Sequence, residues 1–116
     1  MDAKTARITF VELVGAFGLV FFSAGLVCIN QMTTPDGTSP LTLHQTGFVG
    51  VALGQGLILA ALLALTVPIS GGYLNPAITL MLWVFGKLET PRVAWLIGAQ
   101  FVGGLLAAVC LNFAFD

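Results

Sequence analysis

Polar groups with chemical potential are few in this chain, and they stand in apolar company. Glu12 lies within a long greasy run, Gln55 and Gln100 sit in two others, and the stretch "ISGGYLNPAITL" occupies Ile69 to Leu80. A carboxylate inside a membrane span is expensive, and it is kept there to accept hydrogen bonds or to couple protons or substrate. A side-chain amide such as Asn75, Gln55 or Gln100 offers both a donor and an acceptor. Cys28 and Cys110 both fall in apolar runs without zinc or redox spacing, so they are expected to be buried free thiols. His44 reads as a solvated loop histidine, with a pH sensor as the alternative. The pattern holds no catalytic residue and no ligand set for a metal or cofactor, so the expectation is a protein that is not an enzyme.

The elements that position these groups follow from composition. The chain has 116 residues, 58% hydrophobic and 8% charged, against roughly 25% charged in a soluble domain. That is too little polar surface for water, so the partner is expected to be a lipid bilayer. The 14 glycines, against a usual share of ~7%, suit helices with closely packed backbones. The net charge of −1 argues against nucleic acid. Lys4 and Arg7 precede an apolar run that is too long for a signal peptide and lacks a cleavage site, so it is expected to be a retained helix.

Spanning ~30 Å of hydrocarbon takes about 20 helical residues. Three stretches suffice, roughly Ile8–Ile29, Gly47–Ile69 and Val93–Phe115, and a polar loop rich in turn formers separates the first two. Small residues four apart, Gly50 with Gly54 and Ala99 with Gly103, are expected at close helix crossings. A fourth apolar stretch, "PAITLMLWVF" from Pro76 to Phe85, reaches only about 15 Å, half a membrane. Asn75 before Pro76 fits an N-cap followed by N1, and Gly86 and Lys87 fit a C-terminal stop. Gly71 and Gly72 let the backbone turn tightly. The expectation is a loop descending to mid-membrane at about 70–86 and a half-helix returning, its positive end near the midplane. A surface loop followed by an amphipathic helix is the alternative. The fold class is thus an all-α membrane protein of three transmembrane helices plus one re-entrant half-helix.

"SGGYLNPAIT" resembles the first pore-loop signature of the major intrinsic protein family, the aquaporins and glycerol facilitators. "VELVGAFGLVFFSAG" resembles the first helix of that family, with its glutamate at Glu12, and "AQFVGG" its third-helix pattern. The likeness covers 1–116 as a single half domain, the N-terminal half of a full member. It implies a passive channel for water or small uncharged solutes such as glycerol. The Asn75 amide would face the pore at the head of the Asn75–Pro76–Ala77 signature. The carbonyls of Gly71, Gly72, Tyr73 and Leu74 would form an acceptor ladder, with Glu12 bracing the loop and Gln100 packing helices. Tyr73 stands where the family usually has histidine. Gln55 stands at a filter position that is usually aromatic, which implies a wider and more polar passage.

The sequence has neither the second NPA nor the filter arginine of a full member, so one copy is not expected to enclose a pore. A second copy of itself or a distinct second half would complete it, with tetrameric assembly by analogy. Lys4, Arg7, Lys87 and Arg92 all fall on one side of this topology, which places the N-terminus in the cytoplasm of a multi-pass protein of the cell membrane. An inverted second copy would conflict with that charge bias. Two alternatives stand beside the channel: a non-conducting packing subunit, and a small multidrug-type transporter using Glu12.

Overall fold

The computed structural model describes residues 2–32 and 47–115; His44 and most of the loop around it lie outside the described residues. Four helices follow in order: α1 (Ala3–Met32), α2 (Gly47–Ser70), α3 (Pro76–Val84) and α4 (Thr90–Phe115). There is no strand among the described residues. The helices α1, α2 and α4, of 30, 24 and 26 residues, are long and apolar enough to cross a membrane. The 9 residues of α3 reach only about 14 Å at 1.5 Å each. The protein is an all-α membrane protein.

Two of the long helices, α1 and α4, start earlier than their apolar runs, while α2 starts at Gly47 as expected. Asp2 caps α1: its carboxylate accepts the Thr5 N–H at 3.0 Å and its carbonyl accepts the Ala6 N–H at 3.0 Å. The polar turn that follows is thereby drawn into the helix. Likewise α4 starts at Thr90 rather than Val93, with Pro91 in its first turn and the Val93 N–H on the Glu89 carbonyl at 3.0 Å.

In the bundle α1 is central, packed against both α4 and α2, while α3 packs on α4. The α1–α4 crossing is backbone on backbone: a Cβ at Gly103 would run into the Leu13 carbonyl, and Ala99 one turn earlier is buried. Gly54 leaves room for the Leu26 side chain of α1. A small apolar core of Ile8, Leu88, Val93 and Leu96 closes the end where α1 and α4 begin. By contrast α2 buries only Thr66 and Ser70. In lipid its exposed leucines and valines carry no hydrophobic penalty.

One expectation fails here. Both cysteines are free, but Cys110 is exposed and Cys28 is only half-buried. An apolar run marks the inside of a soluble protein; in a lipid-facing helix it marks neither side.

Candidate functional site

Between α2 and α3 the backbone makes a reversal that few residues tolerate. Gly71 (φ +104°) and Gly72 (φ +67°) take left-handed values open to glycine, and Leu74 follows at φ +51°. A leucine there costs on the order of 1–2 kcal/mol, so something must hold it. Its N–H donates to Glu12 Oε2 at 2.6 Å. Its buried side chain fills a slot on α1 that exists only because residue 15 is glycine: a Cβ on Gly15 would clash with it. Tyr73 folds its ring back over Gly71, so a side chain at 71 would displace the phenol.

Glu12 gathers the loop's donors. Oε1 accepts from Ser70 Oγ at 2.5 Å and the Tyr73 N–H at 3.0 Å; Oε2 accepts from the Leu74 N–H and from Gln100 Nε2 at 2.9 Å. The carboxylate is fully buried. Gln100 Nε2 also donates to Thr79 Oγ1 at 2.9 Å, tying α4 to α3, and the Gly72 N–H donates to Ser70 Oγ at 3.2 Å. The N–H groups of 72–74 are therefore satisfied inside the bundle. Among the described residues, none of the carbonyls of Gly71, Gly72, Tyr73 and Leu74 accepts a hydrogen bond.

Asn75 is extended (φ −140°, ψ 126°) and caps α3, its Oδ1 accepting the Ala77 N–H at 2.8 Å with Pro76 next in line. Its backbone carbonyl takes the Thr79 N–H and hydroxyl, each at 3.0 Å. These bonds use the oxygens and leave the amide Nδ2 open. At the far end, Gly86 is left-handed and the Lys87 N–H reaches the Leu82 carbonyl at 2.8 Å, a glycine-terminated helix end.

A groove of about 390 Å³ runs along this loop. Its lining includes Ser23 from α1, Gln55 from α2, and Gly72, Tyr73, Leu74 and Asn75 from the loop, with Leu59, Leu63 and Ile78 as apolar wall. Gln55 and Asn75, 20 positions apart in the chain, thus share one surface. Among the described residues the side chains of Ser23, Gln55 and Tyr73 make no hydrogen bond. Gly71, Pro76 and Ala77 shape the loop without being part of that lining, and Glu12 and Gln100 lie in the bundle behind it.

Sequence reasoning passed over Ser23, Ser70 and Thr79. Ser23 had a usable signal: Leu19 and Ser23, like Gln55, Leu59 and Leu63, follow one another at helical spacing along one face. Ser70 and Thr79 had none, because small hydroxyl residues near a helix end are common as caps.

Three spans, a half-helix capped by Asn75 and a buried carboxylate gripping its approach loop define an all-α membrane protein with a half-helix folded against its spans. The chain belongs to the major intrinsic protein family, whose model matches residues 1–116. Its aquaporins are channels, not enzymes.

Aquaporin Z of Photorhabdus laumondii is 38% identical over 100 residues, 86% of this chain and 40% of that protein. Aquaporin-8 of Botryotinia fuckeliana is 40% identical over 105 residues, covering 87% of this chain and 31% of the relative. Aquaglyceroporin-3 of Trypanosoma brucei brucei is 35% identical over 99 residues, 85% of this chain and 29% of its own length. The chain thus spans less than half the length of these relatives.

Proposed function

We propose that this chain is one half of a passive channel for water and small uncharged solutes such as glycerol, with the groove as one wall of the path. The observation that carries the reading is the sorting of hydrogen-bonding groups around the loop. The N–H groups of 72–74 are satisfied by Glu12 and Ser70, while the carbonyls of 71–74, the Ser23, Gln55 and Tyr73 side chains and the Asn75 amide nitrogen remain available. A solute shedding its hydration shell needs such replacements along a narrow path. The positive end of α3 beside Asn75 would oppose cations. Glu12 and Gln100 act as braces.

The opposite wall comes from a second half of the fold, whether carried by the same polypeptide, by another copy in inverted orientation or by a distinct partner, and tetrameric assembly fits the family. The basic residues Lys4, Arg7, Lys87 and Arg92 favour a cytoplasmic N-terminus in the cell membrane.

Osmotic-shock measurements on liposomes test this. Liposomes holding the chain, alone or together with the C-terminal half of a related aquaporin, should change volume faster than empty ones. Equal rates in both preparations, with the protein inserted and folded, would leave a non-conducting packing subunit.

A further inference from the structure

A second hollow, of about 270 Å³, lies where α1 and α4 begin side by side. Lys4, Thr5 and Ile8 line it from α1; Arg92 and Trp95 line it from α4, with Glu89 just before. The Arg92 Nε is shielded from solvent and has no hydrogen-bond partner. A shielded donor without an acceptor is costly. Among the described residues, Lys4, Arg7, Lys87 and Arg92 make no ion pair. With Lys4 and Arg92 against Glu89, the hollow keeps an excess of positive charge.

Depth narrows the choice of occupant. Lys4 and Arg92 stand near the starts of two helices able to cross a membrane, Ala3–Met32 and Thr90–Phe115. That is the level of lipid headgroups. Trp95, half exposed, is on the same lining, and tryptophan favours this level because its ring is apolar and its N–H polar. A guanidinium also offers its two terminal nitrogens as a planar fork, which matches two oxygens of a phosphate. Lysine adds a point charge. The positive end of α4 lies at the same place.

We propose that this hollow binds the phosphate of an anionic phospholipid headgroup, Arg92 holding it end-on through its terminal N–H groups and Lys4 neutralising it. The site is independent of conduction, so its test needs no flux.

The chain with Trp83→Phe, which leaves Trp95 as sole tryptophan, is reconstituted in phosphatidylcholine bilayers. Quenching of Trp95 is compared for brominated phosphatidylglycerol and brominated phosphatidylcholine. The anionic lipid should be preferred by about fivefold or more, as one nearby basic residue warrants. Arg92→Gln should bring the preference close to unity. Lys87→Gln removes the same charge near the same face but outside the hollow, and should change little. If Arg92→Gln fails to fold, judged by circular dichroism and size exclusion, Lys4→Gln at an exposed position replaces it with the same expected direction.

No preference in the parent, or equal losses from Lys87→Gln and the hollow variant, would overturn the site in favour of general surface charge. Relief of quenching by inorganic phosphate at constant ionic strength would make free phosphate the occupant and overturn the lipid.

Discussion

Within the bundle, Glu12, Ser70, Thr79 and Gln100 direct their polar atoms at one another and at the loop backbone. Along the groove, Ser23, Gln55, Tyr73 and the amide nitrogen of Asn75 leave theirs open. Both sets contain hydroxyls and amides, and the buried set adds an acid. What separates them is satisfaction. A buried network that is fully paired rigidifies its surroundings, whereas unpaired groups along a groove offer exchangeable partners to whatever passes. The line between them runs through single residues. Gly72 turns its N–H to Ser70, and its carbonyl accepts nothing.

The largest effect should come from Glu12→Ala. It strands the Tyr73 and Leu74 N–H groups and takes one acceptor each from the Ser70 hydroxyl and the Gln100 amide, which keep the Thr66 carbonyl and Thr79 Oγ1, at roughly 1–3 kcal/mol for each buried donor left unpaired. The folded, monodisperse fraction on size exclusion should collapse. A variant that folded normally and lost only flux would move Glu12 to the groove side of the comparison.

Asn75→Asp should do the reverse. The carboxylate keeps the cap on Ala77 and suits a helix N-terminus, so folding should persist. Solute flux should fall about tenfold, or cations should leak, because the amide donor is lost and charge is gained; one hydrogen bond of roughly 1.4 kcal/mol sets that scale. Unchanged flux and ion exclusion would remove Asn75 from the path.

Gln55→Phe sharpens the comparison further. A ring on the groove side should narrow it and lower glycerol permeability more than water permeability in stopped-flow assays. If both stay the same in the folded assembly, Gln55 lines no constriction.

The helices and the half-helix were legible because length, apolar runs and the Asn75–Pro76 pair are local signals. The grip of Glu12 was expected only through family likeness. Its partners at Ser70, Tyr73, Leu74 and Gln100 are brought together by the packing of α1 against both α2 and α4, and no local pattern encodes that. The slot for Leu74 at Gly15 was illegible for the same reason: Gly15 is one of many glycines, and only the packed backbone says which one leaves room for a side chain. Cys110 was misjudged because lipid erases the inside–outside meaning of hydrophobicity.

The smallest expected effect lies outside the membrane. Hydrogen bonds from Thr5, side chain first and then backbone, hold the Asp2 carboxyl below its ordinary value. A lowered folded value means the cap is in place above the ordinary carboxylate range and is lost as pH falls through the folded value. The protection of the Thr5 amide against exchange, relative to the intrinsic rate at each pH, should therefore fall at acid pH in the parent, and Asp2→Asn should flatten that dependence.

The spread of the Glu12 partners along the chain has a consequence for biosynthesis. Ser70, Tyr73, Leu74 and Gln100 follow Glu12 by 58, 61, 62 and 88 residues. At ribosomal rates of about 5–20 residues per second, the acid waits roughly 3–18 s for them. Through that interval the nascent α1 carries an uncompensated carboxylate, which a bilayer admits reluctantly. Of these helices, α1 is thus the one that most needs the insertion machinery to hold it until α4 has emerged.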